Sequence, residues 1–70
     1  MEIFHLDGQP YIKLCDLLKL QGWVESGAAA KTLIAQGEVK VDGKVETRKR
    51  CKISKNNIVT LANDCVIVKE

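Results

Sequence analysis

Aromatic residues are nearly missing from this chain: its 70 residues include one Phe, one Tyr and one Trp. A groove that stacks successive bases draws on several aromatic rings with basic neighbours, and Tyr11 and Trp23 alone do not supply such a platform. Trp23, directly after Gly22, is expected instead to pack across a pair of helices. Histidine occurs once, as His5, and the three cysteines Cys15, Cys51 and Cys65 are widely spaced with no CxxC. A structural zinc site needs four clustered ligands, so no metal is expected, and an odd number of thiols cannot all pair within the chain. The thiols read as small apolar fillers; Cys51 alone sits among cations, which would favour its thiolate. No apolar run is long enough to span a bilayer. The opening Met1-Glu2-Ile3-Phe4-His5 has no positive stretch leading into an apolar one, so no secretion signal is expected. Reduced thiols in a cytoplasmic location follow. Nucleophile elbows, phosphate-binding glycine loops and metal-binding His pairs are also missing. The expectation is a non-enzymatic protein with no cofactor, no membrane partner and no small-molecule substrate.

What is present suits one small globular core. Apolar residues make up 46% and charged residues 29% of the chain, a soluble globular balance, and 70 residues suffice for one domain over 1–70. The net charge of +2 conceals an uneven distribution. Residues 1–30 hold two Lys against four acids, residues 31–52 hold seven Lys or Arg against three acids, and residues 53–70 balance. The densest stretch is Arg48-Lys49-Arg50-Cys51-Lys52. Cations gathered in this way point to a polyanionic partner more than the overall charge does.

Periodicity divides the chain in two. Ile3-Phe4-His5-Leu6 reads as a short strand, ended by the turn signal Asp7-Gly8. Leu14, Leu17 and Leu18 fall at i, i+3, i+4, one face of a helix, and Gly22 stands where a left-handed residue would end it. Ser26 is a good N-cap for a second helix, whose face is Ala30, Leu33 and Ile34 and whose end is Gly37. Two helices this short need a third element to cover their apolar faces. After Gly37 the period becomes two: Val39, Val41 and Val45 alternate with Lys40, Lys44 and Glu46 around Asp42-Gly43, a strong hairpin signal. Ile58–Leu61 and Val66–Val68 read as later strands. The predicted class is α+β, with two adjacent helices packed on a small antiparallel sheet.

The ordered set Lys13-Leu14-x-x-Leu17-Leu18, Gly22, Ser26-x-x-x-Ala30-Lys31-x-x-Ile34-x-x-Gly37-x-Val39-x-Val41-Asp42-Gly43 resembles the S4 RNA-binding motif over about residues 13–61. With Ser26-Gly27 and Glu46-Thr47-Arg48-Lys49-Arg50 added, it is similar to the small stand-alone S4-like proteins of the YbcJ type. That resemblance implies the S4-like (alpha-L) arrangement, RNA binding and association with ribosomes, with no catalytic domain. The chain departs from the family at three positions. Cys15 stands where many members have Asp, Gly27 where many carry an RNA-contacting Arg, and Asp42 where Asn is frequent. The missing Arg shifts the expected contacts onto Lys31 and the Arg48–Lys52 cluster.

Lys13, Ser26, Lys31, Lys40, Lys44, Arg48, Lys49, Arg50 and Lys52 are thus the candidate RNA contacts. The arginines offer planar forks suited to phosphate oxygens, and Lys31 lies near the small residues Gly27, Ala28 and Ala35, which would allow close approach of a backbone. Ser26 serves first as an N-cap. The leading expectation is binding of structured RNA, ribosomal RNA in particular, through shape and phosphate contacts. The competing one is a protein-interaction module whose basic loop docks an acidic partner surface.

Overall fold

The computed structural model describes residues 1–70. In chain order its elements are β1 (Glu2–His5), β2 (Ile12–Lys13), α1 (Leu14–Leu20), α2 (Gly27–Ala35), β3 (Val39–Val41), β4 (Lys44–Val45), β5 (Lys52–Ile53), β6 (Ile58–Leu61) and β7 (Asp64–Lys69). Five strands form one sheet in the order β1-β7-β6-β3-β4, while β2 and β5 pair separately. No helix is long and apolar enough to cross a membrane.

The helices begin and end for local reasons. Ser26 caps α2, its hydroxyl accepting from the Ala29 N–H at 3.1 Å. Such a cap contributes about 1 kcal/mol. Both C-termini close in the same way. The Gly22 and Trp23 N–H groups donate to the carbonyls of Lys19 and Leu18, and those of Gly37 and Glu38 to Ile34 and Leu33. This pair of hydrogen bonds needs a left-handed residue after the helix, and Gly22 and Gly37 sit at φ 76° and 79°. The N-terminus of α1 is different. Lys13 gives it no side-chain cap; instead the Leu14 N–H donates to the Cys51 carbonyl at 2.9 Å and the Cys15 N–H to the Lys49 carbonyl at 3.1 Å. The basic loop therefore caps this helix with its own backbone.

Leu14, Leu17 and Leu18 of α1 and Ala30 and Ile34 of α2 are buried with Val39, Ile53, Val59, Val66 and Val68. Alternation sends those valines to the helix-covered face, and the registers Ile3↔Ile67 and Ile58↔Ile67 place three isoleucines on the other. The β3–β4 hairpin turns at Asp42-Gly43 with φ 52° and 83°, as a type I′ turn requires. Asp42 also ties the hairpin to β6: its carboxylate accepts from the Ile58 N–H at 2.9 Å and the Asn57 side chain at 2.7 Å.

The expected α+β class holds, with one correction to the sheet. It is mixed rather than antiparallel, because β1 pairs parallel to β7 from Glu2↔Val66 to His5↔Lys69. The N-terminal strand completes the edge beside the C-terminal one, and the chain between them, through both helices and five further strands, supplies the long connection that parallel pairing requires. Trp23 packs half-buried against the core and donates its indole N–H to Glu2 at 3.3 Å, so it also ties the helix connector to β1.

Candidate nucleic-acid interface

The basic loop is shaped by an acid. The Glu46 carboxylate accepts three bonds from Arg48: from the backbone N–H at 2.9 Å, from Nε at 2.9 Å and from Nη2 at 3.0 Å. This is the chain's one ion pair; the Glu46 side chain is 17% exposed and that of Arg48 76%. The Arg48 side-chain and backbone donors, which favour the charged carboxylate, hold Glu46 at about 2 instead of 4.5. A depressed carboxyl pKa stabilises the clamp above the ordinary value and releases it as pH falls through the depressed one. A carboxyl-carbon titration should place the Glu46 midpoint near 2, and Arg48→Ala should return it toward 4.5; an unmoved midpoint would show that Arg48 is not the cause.

Arg48 is accordingly a partly committed cation. Its Nη2 also lies 3.6 Å from Cys51 Sγ. Burial, followed by the Glu46 charge, pushes the Cys51 thiol up. The thiolate that its basic sequence neighbours would favour is therefore opposed by the fold. Cys15 is buried in the core and Cys51 packs half-buried against it, as small apolar fillers, while Cys65 is half-buried on the sheet face away from the helices, opposite Thr60.

The remaining cations of the loop have no acid partner. Lys49 and Arg50 meet Lys31 of α2 around a depression of about 280 Å³ lined by these three residues alone. Arg50 is shared with a second depression, lined also by Arg48, Cys51 and Lys52. Lys52 stands directly opposite Lys13 in the β2–β5 pair, and its ammonium lies 5.0 Å from the centre of the Tyr11 ring. Lys31, Lys49, Arg50, Lys52 and Lys13 thus form one connected basic track. It is held in place because the carbonyls of Lys49 and Cys51 cap α1.

The other candidates lie elsewhere. Lys40 points to the sheet face away from the helices, opposite Thr60 and Val45, and lines a separate depression with Gly37, Glu38, Thr60 and Ala62. Lys44 is exposed on the edge strand β4. Ser26 has its hydroxyl engaged as the α2 cap. Two features escaped the sequence reading: the Glu46–Arg48 clamp, whose only sequence signal is Glu-x-Arg spacing, and the β2–β5 pair, whose strands are two residues each.

Residues 4–69 match the S4 domain family. The chain is 59% identical over 68 residues to YbcJ of Escherichia coli strain K12, covering 97% of each chain; that protein's name assigns it RNA binding provisionally. The YbcJ protein of Shigella flexneri, whose name gives no function, shows the same identity and coverage. The solution structure of YbcJ from E. coli aligns with a TM-score of 0.77 at 57% identity, over 100% of this chain and 89% of that one. It is described as revealing an αL motif involved in RNA binding. Paired helices on a mixed sheet, a family match along nearly the whole length and close relatives of equal size agree: this chain belongs to the S4 domain family.

Proposed function

We propose that the chain binds structured RNA, with ribosomal RNA as its target, and acts in the cytoplasm as a non-enzymatic ribosome-associated protein of one S4 domain. The observation that carries this reading is the track Lys13–Lys52–Arg50–Lys49–Lys31, five cations without an acid partner brought together from β2, α2, β5 and the loop that precedes β5. Duplex RNA hides its base edges in a narrow major groove, so a small basic surface reads phosphates and backbone shape. The relatives' description as RNA-binding supports the same partner. Arg48 shapes the loop through Glu46, and Lys40 and Lys44 lie outside the track.

Sedimentation with ribosomes at low salt tests the target. The protein should pellet with ribosomes, and nuclease digestion should release it. Retention after complete digestion would overturn the reading in favour of an acidic protein surface.

Gly27 offers a gain-of-function check. A Cβ there would meet no neighbouring atom within 4 Å, and Gly27 opens α2, the helix that carries Lys31. Gly27→Arg, which restores the residue common in the family, should tighten RNA binding and steepen its log–log salt slope by about 0.7–0.9, one added phosphate contact. An unchanged slope would mean that this end of α2 does not face the RNA.

A further inference from the structure

We propose that the depression beside Tyr11 is a subsite for one unpaired guanosine of the bound RNA; the proposal rests on the RNA-binding reading above and adds a base preference to it. Gln9, Tyr11, Lys13 and Asp16 are among the residues that line this depression of about 290 Å³. That volume is at the lower edge of the roughly 300–1,000 Å³ typical of small-ligand sites, suited to one nucleoside and not to a helix.

Three observations converge on a nucleotide. First, Lys13 and Lys52 are directly opposite each other in a two-residue ladder, and neither has an acid partner. Like charges facing across strands are destabilising, and a phosphate placed between them relieves the repulsion. Second, the Lys52 ammonium sits over the Tyr11 ring, which steadies the ring by cation–π attraction. Tyr11 is 36% exposed and lines the depression, which Lys52 does not, so a base entering the depression can stack on the ring. Third, the exposed carboxylate of Asp16 lines the same depression. A carboxylate repels a phosphate but accepts from base N–H groups. The depression lined by Lys31, Lys49 and Arg50 has no acid, so the two differ as a phosphate site and a base site should.

The acid also selects among bases. Unpaired bases are read by stacking on aromatic rings and by hydrogen bonds along their Watson–Crick edges. Guanine carries adjacent N1–H and N2–H donors, which match both oxygens of one carboxylate. Adenine, cytosine and uracil each present a single donor group on that edge, and Gln9 can pair with the remaining acceptor of any base. A phosphate on Lys13 and Lys52, with the base face on Tyr11 and its edge on Asp16, fixes both ends of one nucleotide.

The test compares hairpin RNAs of one stem sequence carrying a single unpaired G, A, C or U, and the uninterrupted stem, against wild type, Tyr11→Ala and Asp16→Asn. The G-bulged hairpin should bind wild type most tightly. Tyr11→Ala should weaken that complex about 5- to 150-fold, the range for loss of one base–aromatic stack, and leave the uninterrupted stem nearly unaffected. Asp16→Asn should abolish the preference for G without weakening stem binding. Guanosine 5′-monophosphate should shift the Tyr11 and Asp16 resonances of wild type more than the other three nucleotides do. Equal affinity for all four bulges, or equal losses on bulged and uninterrupted stems, would overturn the subsite while leaving stem binding in place. If wild type binds none of the RNAs, the RNA-binding reading itself fails. Should Tyr11→Ala unfold, the Asp16→Asn comparison and the nucleotide titration decide.

Discussion

Replacing Lys31, Lys49 and Arg50 together by alanine is expected to flatten the salt dependence of RNA binding by roughly two to three log–log units. Each neutralised phosphate contributes about 0.7–0.9 units through counterion release, and these three cations share one depression with no acid beside them. Between 50 and 200 mM salt, a fourfold range, that difference corresponds to roughly 16- to 64-fold in affinity. The loss should be similar on unrelated structured RNAs, because phosphate contacts carry no sequence. Arg48→Ala should change the slope by well under the roughly 0.7–0.9 units of one free contact, since its guanidinium is already bonded to Glu46, even though Arg48 and Arg50 are equivalent in composition. The triple variant should remain folded, because exposed charges contribute little stability; all three lack ion pairs. Salt titrations of both variants beside denaturation curves make the measurement. An unchanged slope in the folded triple variant would remove this track as the RNA surface.

The contrast between Arg48 and Arg50 shows where the sequence was informative and where it was not. Periodicity and glycine position suffice for the helices, because Leu14, Leu17 and Leu18 are near neighbours on one turn and Gly22 and Gly37 answer a local backbone need. The Asp42-Gly43 hairpin is legible for the same reason: both turn residues must take positive φ, and the pair declares it. Signals fail when partners are distant or elements tiny. β1 joins β7 parallel across more than sixty residues, and nothing local distinguishes a parallel edge strand from an antiparallel one. β2 and β5 are too short for a period, yet their pairing sets Lys13 against Lys52. The cluster 48–52 was visible as charge, but which of its cations are free depends on Glu46 folding back under Arg48. Lys40 shows the reverse failure: it belongs to the basic segment by sequence, and strand alternation sends it to the opposite face of the sheet.

Leu17→Ala is expected to destabilise the fold by about 2–5 kcal/mol, the range for truncating a buried leucine. Leu17 is fully buried in the centre of α1. A helix of seven residues is unstable alone and depends on packing, and α1 lacks a side-chain N-cap that could compensate. At about 0.05–0.15 kcal/mol per residue, a chain of this size has roughly 4–10 kcal/mol to lose, so the substitution removes a large share of the total. RNA binding should fall with it. The α1 N–H groups of Leu14 and Cys15 hold the carbonyls of Cys51 and Lys49, and releasing that helix releases the loop that presents Lys49, Arg50 and Lys52. Trp23, the only tryptophan, packs against the same core and reports unfolding by its fluorescence. In urea titrations the midpoint of Leu17→Ala should fall sharply, while the unfolding free energy of Lys49→Ala stays within about 0.5 kcal/mol of wild type. Adding a stabilising osmolyte should restore RNA binding to Leu17→Ala by refolding it and leave the Lys31, Lys49 and Arg50 triple variant as weak as before. A Leu17→Ala protein with an unchanged midpoint would mean that α1 does not anchor the core, and with it the loop.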